Sequence, residues 1–181
     1  MTKTDRKVID RVFVLLGLVM LIVLIIIGGL ALKASSFAKS SVKSELSAQH
    51  IYFPESSSPA INALPAENQA QMDNYAAQQL VNGYQAKVYA DYFIAYHLSK
   101  VAGGETYSQI STKALTDPTN PQLKAEEQTL FQGETLRVLQ LGDGYSYWTF
   151  GKIAGYVADT AFIGAVVMLV LVYLGMRRIN N

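Results

Sequence analysis

Apolar residues gather at the two ends of this chain, and the stretch between them is polar with interspersed aromatic positions. From Val12 to Leu32 no charged side chain interrupts the run. A helix over these 21 residues, rising about 1.5 Å per residue, covers the roughly 30 Å hydrocarbon core of a bilayer. The second run, Ile153 to Met176, contains one charge, Asp159. The pattern predicts an all-α protein in which two transmembrane helices, 12–32 and 153–176, flank an extracytoplasmic helical bundle over 33–152. Residues 1–11 and 177–181 are then short tails.

Within the middle segment, Phe37, Val42, Leu46 and Ile51 form a loose apolar stripe, which predicts that the first membrane helix continues outward. Pro54, Ser56-Ser57-Ser58-Pro59 and Pro65 break regular structure, so 52–68 reads as a loop. A short helix is expected over 69–81, with Asn82-Gly83 as its stop or as a kink. The clearest helix outside the membrane runs from Tyr84 to Val101 and ends at Gly103-Gly104. On it Tyr84, Val88, Tyr92 and Tyr96 recur at intervals of four. That aromatic face packs a core or offers an apolar binding surface through Tyr84, Tyr92 and Tyr96.

Thr106 followed by Gln109 has the form of a capping box opening a helix toward Ala114. Asn120-Pro121 supplies a cap and a first helical residue for the next helix. Its apolar positions are Leu123, Leu130, Phe131, Val138 and Leu141, and Gly142-Asp143-Gly144 is expected to stop it. No segment alternates as a strand would. Tyr145, Tyr147, Trp148 and Phe150 precede the second run and suit the headgroup level of a membrane, as does Tyr173 near its other end.

Charge then fixes an orientation. Lys3, Arg6, Lys7 and Arg11 precede the first run, and Arg177 and Arg178 follow the second, which places both termini in the cytoplasm of a plasma membrane. A small-x-small site at Ser36-Phe37-Ala38 imitates signal cleavage, but the apolar run before it exceeds a signal peptide's hydrophobic region. Nine basic and eleven acidic residues make 33–152 nearly neutral, without the basic patch that nucleic acid requires. The absence of cysteine excludes disulfides and thiolate chemistry.

Catalytic motifs are equally absent. No G-x-S-x-G elbow, phosphate-binding glycine loop or paired-histidine metal spacing occurs, so neither an enzyme nor a cofactor is expected. His97 stands among aromatic residues and His50 beside a loop. Two polar features remain. Glu134 and Arg137 are three apart on a helix and can pair, facing a partner or another helix near the membrane. Asp159 sits among Gly151, Gly155, Ala158, Ala161, Gly164 and Ala165, a small-residue surface suited to close helix packing in lipid. Asp159 itself is read as an interfacial group or an interhelical contact.

Leu130-Phe131-Gln132-Gly133-Glu134-Thr135-Leu136-Arg137, with Tyr147-Trp148-Thr149-Phe150-Gly151 and the Ala102-Gly103-Gly104-Glu105-Thr106-Tyr107 turn after Ala90-Asp91-Tyr92, resembles a group of uncharacterised actinobacterial small two-span membrane proteins. Some related proteins carry the label aromatic ring-opening dioxygenase. Extradiol ring opening needs iron held by histidines and a carboxylate, and this chain's two histidines form no such motif. What the resemblance implies is an actinobacterial plasma membrane and a two-span topology.

The expected function is that of a non-catalytic accessory, assembly or stabilising subunit of a larger envelope complex. Its partners would be the bilayer and either another membrane protein or further copies of itself. An extracytoplasmic small-molecule or lipid sensor signalling through a partner is the alternative, with a small channel or a metal enzyme ranked below.

Overall fold

The computed structural model describes residues 3–180; residues 1, 2 and 181, parts of the two expected tails, lie outside it. Across the described residues the chain is all-helical, with no strand. In chain order the elements are α1 (Lys3–Ala48), α2 (Pro59–Asn62), α3 (Ala66–Asp73), α4 (Gly83–Val88), a π-helical turn at Tyr89–Ile94, α5 (Ala95–Leu98), a tight turn at Val101–Gly104, α6 (Tyr107–Thr116), α7 (Pro121–Leu139), a second π-helical turn at Gln140–Ser146, and α8 (Tyr147–Asn180). Two of these helical runs are long and apolar enough to cross a membrane. The chain divides into two compact units, residues 1–38 with 150–181, and residues 39–149.

In the first unit, α1 and α8 pack antiparallel, and glycines set their separation. A Cβ on Gly17 would lie 2.8 Å from Val172 Cγ2, one on Gly175 2.6 Å from Val14 Cγ2, and one on Gly28 2.9 Å from the Phe162 ring. Gly164 meets Leu24 at an ordinary 3.4 Å. Each advance along α1 is matched by a near-equal retreat along α8, and Asp10 closes one end of the series on Arg178 at 3.3 Å. Ala158, Ala161, Ala165 and Val172 form the buried stripe of α8. Nearly every larger apolar side chain elsewhere on the pair is open, including Phe13, Leu30, Ile163 and Val166 at 62–68% exposure. A helix of a water-soluble fold hides its apolar stripe and turns a polar face outward; this pair has apolar faces all round.

The second unit has its own core. Val42 and Leu46 from α1 meet Phe53, Ile61, Leu64, Met72, Leu80 and Ala86, with Tyr75, Tyr89 and Trp148 closing over them. A smaller cluster joins Ile94 and Leu98 to Ile110 and Leu130. Burying a side chain such as Ile61 or Leu80, at 1% and 0% exposure, stabilises the fold by about 1.5–3 kcal/mol each. Small residues let the helices approach: a Cβ on Gly144 would be 2.9 Å from Ala86, and one on Gly83 would be 2.8 Å from the Gly144 carbonyl and would overlap Trp148. The Leu98 side chain nests on Gly133 in the same way.

Local signals account for most element ends. Thr106 and Gln109 form the complete capping box of α6, and Asn120 caps α7 with Pro121 in the first turn. The outward continuation of the first helix is present to Ala48. Five expectations are corrected. The 52–68 stretch contains α2, capped by Ser58 with Pro59 in its first turn, because Ile61 and Leu64 are drawn into the core. The helix expected over 69–81 ends at Asp73, since Ala77 adopts a positive φ of 57° and Leu80 is pulled inward. Its remainder turns over 74–77 and then bridges Tyr52 to Gln79, with Leu80 N–H donating to Ile51 O at 2.9 Å. Asn82-Gly83 opens α4 instead of closing a helix, for Asn82 Oδ1 accepts from both Tyr84 and Gln85 N–H.

The fourth correction concerns Gly142-Asp143-Gly144, which does not stop the helix. The chain passes through the π-helical turn and stays helical to Asn180. A π turn holds an extra residue per turn, and Gly144 is used there for its lack of a side chain against Ala86. The Tyr84 helix likewise passes through a π turn, loses regular geometry after Leu98, and turns on Ala102, Gly103 and Gly104 at φ 50°, 68° and 89°.

Candidate functional site

The π turn at Tyr89–Ile94 carries Asp91 to the meeting point of three charges. Lys87 Nζ donates to Asp91 Oδ2 at 2.5 Å, Arg137 on α7 approaches Asp91 Oδ1 at 3.7 Å, and Glu134 lies 3.6 Å from Arg137. Glu134 and Arg137 do pair as their spacing suggested, but Arg137 is shared with Asp91, and its Nε is buried without a hydrogen-bond partner. The hydrogen bond to Asp91 raises the pKa of Lys87 above the ordinary 10.5, against the lowering effect of desolvation. Burial raises that of Tyr89, which stacks edge-on against Phe53 at 5.4 Å. This arrangement links α7 to the π turn at Tyr89–Ile94.

Beside that network α7 presents an apolar face. Phe131, Thr135, Val138 and Leu139, at helical spacings of four, seven and eight, are all exposed, with Val138 at 63%. Leu130 alone of the expected apolar positions on this helix is fully buried. Tyr107 of α6 leans on Phe131 at 5.7 Å and completes a shallow depression of about 350 Å³ with Glu134, Thr135, Val138 and Leu139.

Leu139 also borders a second groove of about 350 Å³, whose walls are Ser41 and Glu45 of α1, Gln49 just after it, and Asp143 and Tyr147 beyond α7. Val42, Leu46 and Gly144 form its floor. Two carboxylates and no basic residue line it. Under the floor Gln140, 1% exposed, donates from Nε2 to Gln49 Oε1 at 3.1 Å, while its own Oε1 has no partner. The apolar depression and the acidic groove share Leu139.

The expected aromatic face is divided. The π turn offsets positions that a regular helix would stack, so Tyr84 is exposed beside Tyr145 at 6.3 Å while Tyr92 and Tyr96 pack half-buried on the core. None of the three lines either groove. His97 stacks on Phe93 at 4.4 Å and donates from Nδ1 to the Phe93 carbonyl at 2.8 Å. Among the described residues no three His, Cys, Asp or Glu side chains are placed to share a metal ion.

Of the small-residue candidates, Gly151 and Ala158 are buried, Gly155 is half-buried, and Asp159 is exposed, one position round from the stripe that meets α1. The Asp91–Arg137 approach and the Gln140–Gln49 bond were not legible in the sequence, since no local spacing encodes a contact between distant segments. The exposed side of α7 left a faint signal, for Phe131 and Val138 are adjacent on one helical face and Leu130 lies on another. No protein family, curated protein or solved structure matches this chain.

Proposed function

We propose that this protein is a two-span integral membrane protein, with both termini cytoplasmic and the 39–149 unit on the outer side, that serves as a non-catalytic accessory or stabilising subunit of an envelope membrane complex. The observation that carries this reading is the open face of α7. Phe131, Val138 and Leu139 are large and apolar and occupy a helix whose opposite side is already committed to a core, which is the composition of a contact surface awaiting another protein. The acidic groove adjoining it adds a charge preference, so the complementary element is apolar with a basic residue near one end. The membrane placement is supported by the all-round apolar surface of α1 and α8 and by the arginines and lysines at one end of both. The resemblance noted above adds an actinobacterial plasma membrane as the setting.

A photo-cross-linking amino acid at Val138, compared with one at Thr119, tests the reading in native membranes. Val138 is expected to give one reproducible adduct with a membrane protein, identified by mass spectrometry, and Thr119 none. Identical patterns at both positions overturn it. A second reading, extracytoplasmic binding of a small cationic molecule, is favoured by one observation, the acidic groove over the unpartnered Gln140 Oε1. Release of an organic amine from purified protein, lost on Glu45→Gln with Asp143→Asn, would select it.

A further inference from the structure

At the end of the α1–α8 pair marked by Asp10 and Arg178, the two helices leave an apolar groove of about 460 Å³ between them. Phe13, Leu16 and Met20 of α1 and Met168 and Leu171 of α8 form its sides. The groove exists because Gly17 and Gly175 bring the backbones together but supply no side chain to fill the flank. Asp10 and Arg178 stand at its mouth, joined at 3.3 Å through Arg178 Nε.

Charge at that mouth is uneven. Arg178 is 63% exposed in its side chain, and one carboxylate uses a fraction of the five donors of a guanidinium. One helical turn before Asp10, on the same side of α1, stand Arg6 and Lys7, both exposed. Arg177 is exposed beside Arg178. A ligand for this place needs an elongated apolar body for the groove and an anionic head for the cations. Arginine and lysine recognise phosphate oxygens through charge-assisted hydrogen bonds.

We infer that the groove between α1 and α8 binds one anionic phospholipid, its acyl chain along Phe13, Met20 and Met168 and its phosphate held by Arg178 with Lys7 and Arg6. Asp10 orients Arg178 toward the mouth, which makes Asp10 a positioning residue. The inference rests on the proposed membrane placement and is independent of the docking face on α7. A basic cluster just outside a hydrocarbon segment attracts anionic lipid in general; the groove is what converts attraction into a resident molecule.

Full-length protein in nanodiscs containing equal phosphatidylglycerol and phosphatidylcholine, released for native mass spectrometry, tests it. Wild type is expected to retain one phosphatidylglycerol at about tenfold or greater preference over phosphatidylcholine. Lys7→Gln with Arg178→Gln is expected to abolish the preference, whereas Lys124→Gln, a charge removed from the other unit, leaves it intact. Met168→Ala, which keeps every charge, is expected to weaken retention of both lipids. Inorganic phosphate added alone is expected not to bind or to displace the lipid. Equal retention of the two lipids by wild type, an unchanged preference in the double variant, or displacement by inorganic phosphate overturns the inference. Incorporation into the nanodiscs reports separately on the membrane placement, so a protein that inserts but shows no lipid preference fails this inference alone.

Discussion

Arg137 of α7 stands 3.7 Å from Asp91, a residue that Lys87 already engages at 2.5 Å. Lys87 reaches the carboxylate across one helical turn, from i to i+4, and Arg137 reaches it from α7. Asp91 is 27% exposed and Arg137 34%, so screening by solvent holds their coupling to about 1 kcal/mol. A double-mutant cycle of Asp91→Ala and Arg137→Ala should return that coupling. Trp148 is the single tryptophan and packs on the core of the 39–149 unit, so its fluorescence during denaturation in detergent reads it. Strict additivity of the two single changes would show that the approach contributes nothing.

The alkaline limb of stability should belong to Tyr89 and Lys87. Both groups have raised pKa values in the folded state, Tyr89 through burial and Lys87 through its hydrogen bond to Asp91. A raised value means the folded state holds its proton more tightly than the unfolded chain does. The stabilisation is therefore complete below the unfolded values, 10.0 for tyrosine and 10.5 for lysine, and is lost as pH rises through the folded ones. Tyr89→Phe should flatten the fall of the Trp148 unfolding midpoint above about pH 10. An identical slope in wild type and variant would assign the alkaline loss to other groups.

Close approach at glycine gives a sharper pair of outcomes. A side chain on Gly144 would press on Ala86 at 2.9 Å, and forcing extra atoms into a packed core costs about 1–3 kcal/mol. Gly144→Val should lower the stability of the 39–149 unit by that amount. Gly142→Val meets nothing within 4 Å, and since valine is a better helix former than glycine, it should leave stability unchanged or slightly raised. Equal losses from the two would show that the close approach of Gly144 to Ala86 does not set the cost.

Gly28 and Gly29 make the same comparison in the first unit. Gly28 faces the Phe162 ring at 2.9 Å and Gly29 faces open space. Since the chain has no cysteine of its own, a Leu24→Cys, Gly164→Cys pair can report how the two helices meet. Disulfide formation should persist with Gly29→Leu and fall severalfold with Gly28→Leu. Loss with both substitutions, or with neither, would contradict the antiparallel register.

Much of this fold was written locally. The capping box at Thr106 and Gln109 and the Asn120-Pro121 start each act over a few neighbouring positions, and each is found where its chemistry places it. What failed were inferences that treated a residue as punctuation. Gly142 and Gly144 were expected to end a helix, but an adjacent element needed the space of Gly144 more than the chain needed a stop. Tyr84, Tyr92 and Tyr96 were aligned on an ideal repeat that the π turn offsets. The proposed docking face was half visible, since Phe131 and Val138 stood out as apolar positions of an amphipathic helix whose facing was not fixed. Which side of an amphipathic helix meets the core depends on other segments, here Ile94, Leu98 and Ile110, and no local rule supplies them.

Labelling in intact cells bears most directly on the proposal that α1 and α8 lie in lipid and display the 39–149 unit outside. In this cysteine-free chain, single substitutions Leu115→Cys, at a position 80% exposed, Gly29→Cys and Asn180→Cys can each be challenged with a membrane-impermeant maleimide. The account predicts reaction of the cysteine at 115 before lysis, reaction at 180 only after lysis, and none at 29 until denaturation. Reaction at 180 in intact cells, or protection of 115 until lysis, would contradict it.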